Sequence, residues 1–330
     1  MNPFEYIRAS SRQSAVTTLA KNNSAAFLAG GTNLIDLMKA GVTAPDKLID
    51  INDIPSAAIE KTPTVLRIGA LARNSDVSEN EMVIKHFPLL SLALNAGASP
   101  QLRNMATVGG NMMQRTRCSY FYDTTMPCNK RAPGSGCGAI GGYNRMRAIF
   151  GASDKCIAVH PSDMCVALVA LDATVNIAGP KGERKILFSD FHRLPGDTPE
   201  KDNTLQKGEL IIGVTIPLNN LSAHSHYLKV RDRASYAFAL VSVAAALDIK
   251  SNIIQEARLA MGGVAHKPWR LIEAEKALKG QPANEASFQK AAAIAMNSAK
   301  AYGHNDFKLK LAPNAIVEAL KTAAVSGRGA

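Results

Sequence analysis

The spacing of apolar positions changes repeatedly near the N-terminus, and each change marks an element. Between Ser11 and Lys21 the residues Ala15, Leu19 and Ala20 fall on one face of a short helix, with Ser11 placed to cap it. Ala25 to Ala29 (AAFLA) is a continuous apolar run ending in Gly30-Gly31, a strand running into a turn. TNLIDLMKAG then returns to helical spacing, opened by Thr32 or Asn33 as a cap and closed by Gly41, and KLIDI (Lys47 to Ile51) supplies the next strand. Strand, glycine turn, helix, strand is a crossover unit, and its turn presents free backbone amides where a phosphate can sit.

A second such unit follows. VLRIGAL (Val65 to Leu71) reads as a strand, helical sequence runs from Ser75 to about Ala96, and another glycine pair appears in ATVGGNMMQ. Beyond it, DMCVALVALDATVNIAG predicts a helix giving way to a strand, and ELIIGVTIP (Glu209 to Pro217) a strand ended by proline, with LNNLSAHSH as a linker. ALVSVAAALDI and IIQEARLAMGGV, joined by Lys250, Ser251 and Asn252, read as a hairpin. Three helical segments come after it, roughly Pro268 to Lys279, Asn284 to Tyr302 and Ala312 to Val325, and strands followed by helices predict an α+β domain.

Composition narrows the class. A chain of 330 residues with 46% hydrophobic and 20% charged residues is an ordinary globular sequence, long enough for two or three domains. Its 38 Lys and Arg against 27 Asp and Glu give a net charge of +11, which suits an anionic partner such as a phosphate-bearing cofactor. No aromatic and glycine signature of RNA binding is present, so no nucleic-acid partner is expected. No stretch approaches about 20 apolar residues, and MNPFEYIRASSRQSAVTTLA lacks the basic-then-apolar pattern of an export signal. The expectation is a chain without membrane insertion, cytoplasmic by default, which reaches the periplasm only by co-export with a signal-bearing partner.

Three of the five cysteines crowd into CSYFYDTTMPCNKRAPGSGC. Cys118, Cys128, Cys137 and Cys156 are separated by nine, eight and eighteen residues, and none of these gaps is the short knuckle of a zinc ribbon. A cubane cluster needs four thiolates spread over a larger body, which a long wrapping loop can provide. The surrounding stretch holds Arg115, Arg117, Lys130, Arg131, Arg145 and Arg147 against Asp123 alone, a charge balance that favours an anionic cluster. Spacing by itself leaves an iron–sulfur cluster, free thiols and zinc all open. Cys165, inside the apolar MCVALVAL, reads as a packed core residue.

Neither AGGTNL nor TVGGN is the G-x-G-x-x-G of a dinucleotide fold. Taken in order, however, FLAGGTNLIDLMK, LRIGAL, LRNMATVGGNMMQ, HPSDMCVALVALDATV, GELIIGVTIP and LAMGGVAHKPWRLIEAEKAL resemble the flavin-binding medium subunit of the xanthine dehydrogenase and molybdenum hydroxylase family, with the CO dehydrogenase flavoprotein as a near relative. The resemblance covers nearly the whole chain. It implies an α+β fold with a two-lobed FAD-binding domain of the vanillyl-alcohol oxidase type and a smaller C-terminal α+β domain: residues 1–60 and 61–220 as the lobes, 221–330 as the C-terminal domain. By matching positions, Leu28, Ala29, Gly30, Gly31, Thr32 and Asn33 would wrap the FAD pyrophosphate. Thr107, Gly110, Asn111 and Gln114 would line its other side, and Asp163, Ile211 and Lys229 would contact the flavin.

The stretch from about 115 to 157 is an insertion relative to many members of that family and is similar to the subset of bacterial aldehyde oxidoreductases that carry an extra [4Fe-4S] cluster, which would make Cys118, Cys128, Cys137 and Cys156 its ligands. The function implied is an electron-transfer subunit of a heterotrimeric molybdenum aldehyde oxidoreductase, with FAD and [4Fe-4S] on this chain. A large subunit would carry molybdopterin and a small one [2Fe-2S] clusters, and electrons would leave to oxygen, ferredoxin or another carrier. No catalytic nucleophile or acid–base pair is then needed on this chain. The competing readings are a stand-alone flavin oxidase and a zinc or nucleic-acid module.

Overall fold

The computed structural model describes residues 1–326 and distributes its strands over three sheets. The first is parallel, built from β1 (Glu5–Arg8), β2 (Ala25–Leu28) and β3 (Lys47–Asp50) in the order β1-β3-β2. The helix Arg12–Lys21 is closed at its start by a reciprocal capping box between Ser11 and Ser14, and the predicted crossover through Leu34–Lys39 is present. Strand β1 was not foreseen. Its four residues are exposed apart from a half-buried Ile7, so no period shows.

The second sheet is antiparallel and contains β4 (Ile59–Lys61), β5 (Val65–Gly69), β6 (Thr174–Gly179), β7 (Gly182–Leu187) and β8 (Leu210–Pro217), in the order β4-β5-β8-β6-β7. LIIGVTIP takes the central place because it is apolar on both faces, with Pro217 at its end. Between β5 and β6 come three short helices, Asn74–Glu79, Glu81–His86 and Pro88–Ala96, where the sequence had suggested one continuous segment. Asn80 breaks it first, because its side chain accepts the amides of Met82 (3.0 Å) and Val83 (3.3 Å) as a new cap. Phe87, before Pro88, breaks it again.

The third sheet, β12-β11-β10-β9, is antiparallel: β9 (His224–Val230), β10 (Val241–Lys250), β11 (Ile253–Gly262) and β12 (Trp269–Arg270). The hairpin turns on Ser251 and Asn252, both left-handed at φ 49° and 62°. Part of the expected linker, His224 to His226, belongs to β9, and Trp269–Arg270 pairs as a strand instead of opening a helix. The closing helices are Ile272–Leu278, Glu285–Ala295 and Lys308–Ser326, the last with Pro313 inside it. No helix among the described residues is long and apolar enough to cross a membrane.

The stretch from 115 to 157 holds one helical turn, Ser119–Tyr122, and is otherwise irregular. A carboxylate from outside it, Asp202, holds it down through Lys130 (2.5 Å) and Arg115 (2.6 Å). Burial would raise Asp202, but the two cations overcome that and keep its pKa far below the usual carboxylate range. Lys308, fully buried, ties the C-terminal helix to the same stretch by donating to the carbonyls of Arg147 (3.0 Å) and Gly263 (2.7 Å).

Three buried imidazoles give the fold an acid limit. Burial holds His192 and His266 down to about 4, and burial with His192 beside it holds His160 well below its ordinary value. The folded protein keeps all three neutral, whereas the unfolded chain protonates them near 6.5. The unfolded state therefore binds more protons below about pH 6.5, and stability falls as pH drops towards about 4. Urea midpoints taken between neutral pH and about pH 4.5 should decline, and His192→Gln should flatten the decline by about one proton, ~1.4 kcal/mol per pH unit. Unchanged midpoints over that range would contradict this account.

Candidate flavin chamber and cysteine site

A cavity of about 1290 Å³ opens between the lobes. Every residue expected at the cofactor lines it except Leu28: Ala29, Gly30, Gly31, Thr32, Asn33, Thr107, Gly110, Asn111, Gln114, Asp163, Ile211 and Lys229 all do. Leu28 is the last residue of β2, paired in register with Asp50, and its carbonyl accepts the Ile51 amide at 3.0 Å. It supports the turn and stays outside the cavity.

The first wall depends on two glycines. Gly31 is left-handed at φ 72°, and a β-carbon on Gly30 would sit 1.9 Å from the Met105 carbonyl oxygen. Among the described residues, none accepts the backbone amides of Gly30, Gly31, Thr32 or Asn33. That is a row of donors suited to a pyrophosphate. The expected side-chain cap at Thr32 or Asn33 is not made. Asn33 Oδ1 accepts the Arg115 amide instead, at 2.9 Å, and so joins the turn to the inserted stretch.

On the second wall, Thr107 caps the short helix Val108–Met112 and accepts the Gly110 amide at 3.2 Å, so that donor is spent inside the protein. Asn111 Oδ1 accepts from Gln114 Nε2 (2.7 Å) and from Ser162 Oγ (2.6 Å), linking the helix to the PSD turn. The cap of the next helix is Ser162, which leaves Asp163 free for the chamber. Asp163 is buried and accepts from Lys229 Nζ (2.8 Å) and Tyr227 Oη (2.8 Å). Burial and Asp163 keep the Tyr227 pKa well above its ordinary value, so the phenol stays a donor. Lys229 also donates to the Ala96 carbonyl at 3.0 Å, with its side chain 5% exposed; it is an interior ion-pair partner and no surface charge.

Sequence reasoning missed Arg103, Arg117, Lys207 and Arg233 on the chamber walls. Each lies in a different segment, and no motif groups them. Around the mouth, the exposed Tyr236 adopts a left-handed φ of 50°, and Arg117 stacks 5.3 Å from the Phe238 ring centroid.

Cys118, Cys128, Cys137 and Cys156 line one small interior cavity, although 38 positions separate the first from the last. Cys128 and Cys137 face each other across a backbone bridge, fastened by Asn129 N to Gly136 O (2.7 Å) and Gly138 N to Pro127 O (3.0 Å). Arg131 binds the carbonyls of Tyr120 and Phe121, both at 2.8 Å, and holds the loop closed. Burial pushes the Cys156 thiol up to about 12 and raises Cys118, with Lys130 and Arg147 respectively opposing it.

Among the described residues, only His160, Cys165 and His192 bring three ligand atoms within 4.8 Å of one another; no three of the four cysteine sulfurs do. This group of two histidines and a cysteine reads as core. Cys165 is fully buried, the Ser162 amide points at His160 Nδ1 (3.4 Å), and His192 Nε2 is bonded to the Met112 carbonyl (2.9 Å).

Residues 2–219 match the family described as FAD binding domain in molybdopterin dehydrogenase, and residues 226–323 match the CO dehydrogenase flavoprotein C-terminal domain. The chain belongs to the FAD-binding subunits of the molybdopterin dehydrogenase family, and it is an oxidoreductase subunit. It is 49% identical over 325 residues to the aldehyde oxidoreductase FAD-binding subunit PaoB of Escherichia coli (strain K12), covering 98% of this chain and 99% of that one. It is 32% identical over 283 residues to the glyceraldehyde dehydrogenase medium chain of Sulfolobus acidocaldarius, covering 86% and 83%. Reconstituted CO dehydrogenase from Oligotropha carboxidovorans shares the fold, with a TM-score of 0.78 over 99% of this chain and 100% of that one at 24% identity.

Gly30→Ala should lose most of its flavin, because the added methyl forces the two walls apart at a cost of about 1–3 kcal/mol or more. Gly41, left-handed at φ 70° with nothing within 4 Å of its missing β-carbon, is the control. Gly41→Ala should cost about 1–2 kcal/mol in backbone strain and keep the flavin. Flavin absorbance per chain in the two purified variants checks this, and equal loss in both would contradict the packing argument.

Proposed function

We propose that this chain is the FAD and [4Fe-4S] electron-transfer subunit of a heterotrimeric molybdenum aldehyde oxidoreductase. One observation carries the reading: four cysteines from an inserted stretch converge on a single cavity beside the flavin chamber, in a chain 49% identical to an aldehyde oxidoreductase FAD-binding subunit. In this reading a large molybdopterin subunit oxidises the aldehyde and a small [2Fe-2S] subunit relays electrons to this chain. An external carrier, oxygen or ferredoxin or another, receives them.

FAD, when bound, supplies chemistry that accepts and releases electrons singly or in pairs. The chain's own residues bind, orient and shield. The amides of Gly30 to Asn33 are donors for the pyrophosphate, and Asp163, fixed by Lys229 and Tyr227, presents a carboxylate of set orientation to the flavin end. The donor set, four thiols on one cavity, is the set a cubane cluster takes at its four corners. The free space among the thiols is about 10 Å³, room for about one water, so holding a cluster would require the loop that carries them to open. A further cavity of about 250 Å³ adjoins the flavin chamber, sharing Arg117, Met146, Ser162, Asp163 and Phe238 with its walls.

Anaerobically purified protein should contain one flavin with about four irons and about four sulfides per chain. Cys137→Ser should lose most of the iron and keep the flavin. Flavin without iron in the unmodified chain would remove the cluster from this proposal, and zinc in place of iron would replace it.

A further inference from the structure

The cavity of about 250 Å³ beside the flavin chamber is used by nothing described so far. Its volume is far beyond the roughly 10–15 Å³ that one water needs, so it has room for a small organic molecule. Met146, Val159, Pro161 and Phe238 give it an apolar lining, and Tyr143 and Phe238, both exposed, mark its solvent side.

Arg147 and Ser119 stand together on its wall. Arg147 is 5% exposed, and its Nη2 donates to Ser119 Oγ at 3.2 Å. Among the described residues that is the one hydrogen bond its guanidinium makes, and Nε has no partner. Ser119 Oγ accepts this bond, which leaves its own hydrogen to donate. The other charges on the wall are matched within the protein: Asp163 accepts from Lys229 Nζ (2.8 Å), and Arg117 faces Asp36 (3.5 Å). His160, kept neutral by burial, adds none.

A guanidinium with free donors beside a free hydroxyl is a recognition set for a carboxylate. One cation balances one negative charge, whereas a phosphate dianion would keep an unmatched charge among apolar side chains. The apolar lining, in turn, suits an alkyl or aryl body. We propose that this cavity binds a small monocarboxylate with an apolar body, its carboxylate on Arg147 and Ser119. For the source of that ligand the inference rests on the aldehyde oxidoreductase reading, because oxidation of an apolar aldehyde yields an acid of this class. Bound there, the acid lies against Asp163 and Phe238, which also line the flavin chamber, so the electron-output subunit carries a site for the product of the reaction it serves.

The test is calorimetric titration of the full-length chain, as purified, with benzoate, benzyl alcohol and inorganic phosphate at neutral pH. Benzoate should bind saturably at one site per chain, and the other two should bind at least tenfold more weakly. R147M should weaken benzoate binding at least tenfold, and so should A239L, which adds bulk to the cavity wall and keeps the guanidinium. R145M, which removes a cation already paired with Asp232 (2.8 Å), should bind as wild type does. No saturable heat at millimolar benzoate, equal binding of phosphate or benzyl alcohol, or unchanged affinity in R147M or A239L would each overturn the proposal. If R147M does not fold, A239L and the ligand series decide. Aldehyde turnover by the assembled complex is assayed separately: its absence would remove the source of the ligand, and the calorimetry would still judge the site.

Discussion

The backbone of Gly30 lies against the Met105 carbonyl with no room for a β-carbon, and the flavin chamber exists because of that contact. It brings the turn after β2, in the parallel sheet, against the segment leading into the Thr107 helix, which packs on the antiparallel sheet. The two walls are thereby held at a fixed separation, with the unused amides of Gly30 to Asn33 facing the cavity. Asn33 adds a second tie by accepting the Arg115 amide, so the inserted stretch is anchored to the same turn. Function here depends on a missing side chain as much as on any that is present.

The inserted stretch poses a different physical problem. It has almost no regular secondary structure, so its backbone groups need partners from side chains. Arg131 and Asn129 supply several of them, and Asp202, from a distant loop, balances the two cations that anchor it. Each of these solutions buries charge or polarity with its complement. Arg147, buried as well, donates to the Ser119 hydroxyl in place of a carboxylate.

Legibility followed the range of the interactions involved. Long periodic segments such as the β10–β11 hairpin and the Arg12–Lys21 helix were readable, as were the glycine turns, because local backbone preference decides them. Strands β1 and β12 were too short for a period, and β9 begins inside a polar run that reads as a linker until Val241 and its neighbours pair with it. One expected helix became three because Asn80 and Pro88 offered the backbone better local bonds. At the site, Leu28 was placed at the cofactor by its position beside the glycines, yet strand pairing turns it away.

The sequence by itself determined the order of elements, the two glycine turns and the set of four inserted cysteines. These follow from residue type and spacing, which act over a few positions of chain. Tertiary structure alone decided where each charge is spent: Lys229 on Asp163, 66 positions away, Lys130 on Asp202, 72 away, and Arg147 on the Ser119 hydroxyl, 28 away. Electrostatic pairing depends on distance in space and on burial, and neither is written in the local pattern of the chain.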